Sequence, residues 1–216
     1  MSESSLIDSA KLEMPLLRQE LQNLKMCQFA FLTTSFTVTG LILGFVPNLT
    51  PSSVPGSVFL IPLVVVLPAF CFFFDKARTI TRIVGYYRIL EDAINNPGFP
   101  GWENALSISR KETSKKTIGL FIRVMLMRQP HGYWSLAFYT FAALSILCII
   151  GAWKFFNSQD IISHWHWFLM LFSTFLVLIG LIRNFYMIWD LTMGKSTYED
   201  NYEKWRKLLG ITPPHV

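Results

Sequence analysis

The sequence predicts an all-α, polytopic membrane protein: four transmembrane helices, both termini in the cytoplasm (N-in, C-in), and helical cytoplasmic extensions. Three observations carry this. Of 216 residues, 52% are hydrophobic and only 15% charged, whereas soluble domains run nearer a quarter charged. The apolar residues, at a mean hydropathy of +0.39 for the chain, gather into four runs close to the ~20 residues that cross a ~30 Å hydrocarbon core. Of the 19 Lys and Arg, all but Lys154 fall on one side of the resulting topology, which the positive-inside rule makes the cytoplasm. An aromatic content of 15% also excludes a disordered chain.

Residues 1–26 are expected to form a cytoplasmic N-terminal helix. Leu17, Leu21 and Leu24 recur at i, i+4, i+7, the stripe of an amphipathic helix, and Pro15 suits its first turn. Nothing breaks the helix before the first span, 27–46, so one rod should run from about Leu16 to Phe45. This span follows a polar, acidic segment and lacks a small-x-small cleavage site, so it reads as a retained anchor. The second span, 58–74, holds Pro62 and Pro68, which neighbouring helices can accommodate.

The cytoplasmic segment 75–132 carries ten of the basic residues. Its first part, to Asn95, should continue the second span as a helix. Ile80, Ile83, Val84, Tyr87, Leu90 and Ile94 share one face, and Arg78 and Arg82 point the other way. Asn95-Asn96-Pro97-Gly98 ends it, and Gly98–Trp102 reads as a turn with the Trp packed beneath. A basic run, Arg110 to Lys116, precedes the apolar stretch Ile118–Met127. That stretch is too short to span and suits an interfacial helix. The third and fourth spans are 133–153 and 165–182. The cytoplasmic tail 183–216 should hold a last helix, with a capping box at Ser196 and Glu199 and a stripe of Tyr198, Tyr202, Trp205 and Leu209.

Two stripes mark the first span. At about 100° per residue, Thr33, Thr37, Gly40 and Gly44 share a small-residue face containing a GxxxG, which lets helices approach closely. Gln28, Ser35 and Thr39 form a polar stripe on roughly the opposite face. Polar groups facing lipid are costly, so both faces should meet protein or water, which points to a homo-oligomer. The second stripe could line a narrow pore with Ile42 and Val46 as a hydrophobic gate, or make ordinary interhelical hydrogen bonds.

No Asp, Glu, Lys, Arg or His lies inside any predicted span. Proton relays, intramembrane hydrolases and haem held between helices need such groups there. No catalytic residue, cofactor or metal site is therefore predicted. Cys27, Cys71 and Cys148 have neither disulfide nor zinc spacing. His164-Trp165-His166-Trp167 reads as part of an outer aromatic belt, because histidines at i, i+2 diverge on a helix. Val84-Gly85-Tyr86 echoes a potassium filter only in letters, since it falls on the cytoplasmic helix. No nucleotide-binding GxxxxGK[ST] or GxGxxG occurs.

The cytoplasmic cations Arg78, Arg82, Arg110, Lys111, Lys115 and Lys116 are the candidate surface for anionic lipid, at about 1 kcal/mol per residue near the bilayer, or for a cytoplasmic protein partner. Direct nucleic-acid binding ranks last, because the basic run lacks interleaved aromatics. Leu16–Asn95, a helix, two spans on a short outer loop and a cytoplasmic continuation, resembles the two-span SLATT effectors of bacterial nucleotide-signalling immunity. With the second pair of spans the layout is similar to the four-span membrane subunit of the Kiwa anti-phage system. The resemblance implies an oligomeric sensor or effector with a cytoplasmic partner, in a bacterial inner membrane. The expected function is a non-enzymatic membrane scaffold or sensor in the bilayer, anchoring a cytoplasmic partner. A gated pore is the alternative and a membrane enzyme ranks third.

Overall fold

The computed structural model of the chain describes residues 3–45, 56–94, 101–115, 132–156, 164–192 and 195–211. Among them every regular element is helical: α1 (Glu3–Phe45), a short 3-10 helix (Gly56–Leu60), α2 (Leu63–Ile94), α3 (Trp102–Lys115), α4 (Gly132–Phe156), α5 (His164–Thr192) and α6 (Tyr198–Leu208). Four helices are long and apolar enough to cross a membrane, which marks a multi-pass membrane protein. The predicted helix at 118–127, and Lys116 beside it, lie outside the described residues.

The helices form two compact units. An apolar unit takes Cys27–Asp75 and Tyr133–Ile188; a charged unit takes Met1–Met26, Lys76–Gly132 and Trp189–Val216. Helices α1, α2 and α5 each contribute to both.

In the apolar unit α2 is central. Of its most apolar stretch 44% is buried, against 17% for α1 and 11% for α5. Phe70, Phe73, Phe74 and Phe141 are fully buried, and the Phe70 and Phe141 rings stack at 5.1 Å. In lipid such close packing, not water exclusion, holds helices together. Gly151 on α4 permits one tight contact: a Cβ there would lie 2.7 Å from Cδ1 of Phe59. At one margin Arg183 Nη2 lies 3.1 Å from both Asp75 carboxylate oxygens.

The charged unit has a small apolar cluster, Leu21 and Leu24 of α1 against Ile80 and Val84 of α2, with Tyr198 packed on it. Ile80, Val84, Tyr87 and Leu90 are buried and Arg82 is exposed, as the sequence period requires, while Ile83, Ile94 and Arg78 are half-buried.

Several local expectations are corrected. Helix α1 begins at Glu3, with Pro15 inside it. The turn before Pro15 is held by its packing: Ala10 is buried, and Tyr86 Oη donates to Glu13 Oε2 at 2.8 Å. Pro62 lies just before α2, where its missing N–H costs no helical bond and its carbonyl accepts from Val66 at 2.9 Å. Trp102 is 68% exposed and not packed under a turn; it opens α3 directly after Gly101, whose φ is 71°. The cap of α6 is Thr197, accepting from the Asp200 N–H, not Ser196 with Glu199. Ser196 is instead buried and takes a hydrogen bond from Arg78, while Glu199 is drawn to Arg88. Leu209 lies past the last turn and is 49% exposed.

Candidate functional site

The polar stripe of the first span is buried within the chain. Gln28, Ser35 and Thr39 are no more than 1% exposed. Gln28 Nε2 donates to the Phe73 carbonyl at 3.0 Å, and Ser35 Oγ to the Phe31 carbonyl at 2.8 Å. Gln28 therefore bonds across helices and Ser35 within its own helix, inside one protomer, whereas Thr39 Oγ1 is buried without a hydrogen-bond partner among the described residues.

The opposite, small-residue face is the outward one. Thr33, Thr37, Gly40 and Gly44 are exposed. The two threonine hydroxyls turn back onto the Phe29 and Thr33 carbonyls at 3.0 and 2.9 Å. That satisfies them without a partner helix. A Cβ built on Gly40 or Gly44 meets nothing within 4 Å.

Of the candidate cations, Arg78 is already engaged. Its Nη2 lies 3.7 Å from Asp190 Oδ2, and its Nε donates to Ser196 Oγ at 3.3 Å. The Arg82 side chain is exposed; its carbonyl accepts the Trp205 indole N–H at 3.0 Å. Arg110, Lys111 and Lys115 fall in the last turns of α3.

The feature sequence reasoning missed is the polar interior of the charged unit. Thr81, Gly85, Arg88 and Asp92 recur on α2 at steps of four, three and four, one stripe facing α6. Thr81 Oγ1 accepts from Asn201 Nδ2 at 3.2 Å. At Gly85 a Cβ would stand 2.9 Å from the backbone of Asn201 and Tyr202, so only glycine permits this approach. Arg88, 4% exposed, donates from Nη1 to Glu199 Oε1 and from Nε to Asn104 Oδ1, both at 3.0 Å. Its guanidinium lies over the Tyr202 ring, 4.3 Å from the centroid. Asp92 accepts from Tyr202 Oη at 2.6 Å and from Asn104 Nδ2 at 2.8 Å.

Helix α3 is seated by the same network. Glu91, 3% exposed, accepts the backbone N–H groups of Glu103 and Asn104 at 3.2 and 3.0 Å. A carboxylate thus caps the first turn, where the donors lack intrahelical partners. Ser107 Oγ donates to Glu199 Oε1 at 2.8 Å. The spacing 81, 85, 88, 92 was a readable signal. Its meaning was hidden because the α6 partners lie 110 to 120 residues away.

Tyr202 carries the network's clearest electrostatic signature. Burial first, then the hydrogen bond to Asp92 and that carboxylate's charge, push its phenol from 10.0 up to about 12. Among the described residues no three His, Cys, Asp or Glu side chains converge on a point that could hold a metal ion. No known protein family, curated protein or solved structure matches this chain.

Proposed function

We propose that the protein is a non-enzymatic, homo-oligomeric membrane scaffold or sensor, in a bacterial inner membrane, whose charged unit holds a cytoplasmic protein partner. The observation that carries this reading is the charged unit itself. Three segments of the chain, α2, α3 and α6, are drawn together by buried and half-buried directional bonds around Arg88 and Glu91. Such a network costs more to assemble than an apolar core and specifies one arrangement, which suits a surface that must be presented in fixed shape. On the positive-inside rule this unit and both termini face the cytoplasm. Arg82 and the α3 residues Arg110, Lys111 and Lys115 would supply the contact charge, with anionic headgroups as the competing ligand. A role in anti-phage defence rests on the layout resemblance alone.

Homo-oligomerisation is supported by the exposed Thr33–Gly44 face, whose glycines leave room for a second helix. The pore alternative has less support, because Gln28, Ser35 and Thr39 are buried within the chain. Affinity isolation of the full-length protein in mild detergent tests the scaffold. A stoichiometric soluble protein should be retained, and charge reversal at Arg82, Lys111 and Lys115 should release it. Recovery of the chain alone would remove the proposal.

A further inference from the structure

Helix α6 is held mainly by polar contacts. Its one buried residue is Asn201, and its contacts with the rest of the unit run through Asn201–Thr81, Glu199–Arg88, Glu199–Ser107, Tyr202–Asp92 and Trp205–Arg82. Among the described residues its apolar contacts include Tyr198 against the Leu21–Val84 cluster and the Trp205 ring 5.1 Å from Tyr86. A helix of 11 residues is marginal in water on its own. Acids in its first turn and Arg206 and Lys207 in its last complement its dipole, so the helix can re-form readily on return. Glu199 is 42% exposed at its side chain while its partner Arg88 is 5% exposed. Water can therefore reach the α6 side of the ion pair first.

We propose that α6 is a releasable latch: it occupies a seat on α2 and α3 built from Thr81, Gly85, Arg88 and Asp92, and its departure, with α2 and α3 in place, uncovers Arg88. Gly85 sets the specificity of this seat, since any side chain there would meet the α6 backbone. The uncovered guanidinium keeps its bond to Asn104 on α3 but loses its carboxylate partner. The released state thereby presents a positioned guanidinium fork, which suits it to receive another carboxylate. On the scaffold reading, on which this last step alone rests, an acidic segment of the partner takes the place of Glu199.

Amide hydrogen exchange on the full-length protein in lipid nanodiscs tests the latch without any partner. The α6 amides should exchange before those of α2 residues 77–91, and faster still at about 1 M salt, where charges are screened within ~3 Å. Glu199→Gln, which removes charge without steric change, should speed α6 exchange about tenfold and leave α2 unchanged. Gly85→Ala should do the same by steric exclusion. Protection of α6 equal to that of α2, insensitive to salt and to Glu199→Gln, would overturn the proposal. So would joint loss of protection in α2 and α6, because the two would then open as one body. In the affinity isolation, Glu199→Gln should increase the partner retained. A failure there with the exchange result intact would fault the scaffold reading and not the latch.

Discussion

Arg88 and Glu199, 111 residues apart in sequence, meet at 3.0 Å, the arginine inside and the glutamate half in water. This asymmetry fixes what breaking the pair costs. Removing Glu199 strands a buried guanidinium, whereas removing Arg88 leaves a carboxylate that water can reach. A double-mutant cycle with Arg88→Met and Glu199→Gln should give a coupling of about 1–2 kcal/mol. Denaturant unfolding of the charged unit, followed through Trp205, provides the readout. A coupling near zero would mean that the pair contributes no more than a surface contact.

Glu91 is expected to matter through α3. Replacing it with Gln keeps one acceptor but removes the charge beside two N–H groups of the first turn. The loss should be about 1 kcal/mol, seen as faster amide exchange in residues 103–107 with α4 unaffected. Unchanged exchange would show that the first turn holds without this carboxylate.

Alkali should loosen the charged unit. The Tyr202 phenol is raised in the folded chain to about 12 from 10.0. Its stabilisation is therefore complete below pH 10 and is lost as pH rises through 12. Exchange of α6 amides, corrected for intrinsic rates, should be flat with pH below that window and accelerate within it. Tyr202→Phe should remove the acceleration.

Glycines in the apolar unit should separate folding from assembly. Gly151→Leu drives a side chain into Phe59, 2.7 Å from the new Cβ, and should cost about 1–3 kcal/mol of stability. Leu at Gly40 and Gly44 meets open space in the protomer. It should preserve thermal stability in detergent while lowering the subunit number measured by light scattering. An unchanged subunit number would discard that face as the contact between copies.

Gln28→Leu separates the two readings of the polar stripe. As an interhelical hydrogen bond to Phe73 it should cost about 1 kcal/mol and leave planar bilayers as silent as the parent protein. A conductance in the parent that changes with Gln28 would restore the pore.

The spans were legible because a lipid solvent imposes both length and composition, and α2 was legible to its last turn because its apolar period is regular. The direction of the α1 stripes was not. Two faces of one helix, one of Gly and Thr and one of Gln, Ser and Thr, fit burial or exposure equally well until the neighbours are known. The Arg88 network was hidden for a related reason. Arginine next to Tyr87 and Ile89 reads as a surface cation, and only Asn104 on the next helix and Glu199, 111 residues on, supply the partners that allow its burial. Ser196 and Glu199 match the capping-box pattern one residue before the true cap, Thr197, so the pattern alone misplaces the cap.

On the proposed function, the charged unit holds a soluble partner in a fixed geometry at the membrane. Affinity isolation of the full-length protein at physiological salt, parent beside the Arg82→Glu, Lys111→Glu, Lys115→Glu variant, tests it most directly. The parent should retain one soluble protein at fixed stoichiometry, and a variant that remains folded and membrane-inserted should lose it. A parent chain recovered without a partner, or a partner indifferent to those charges, would contradict it.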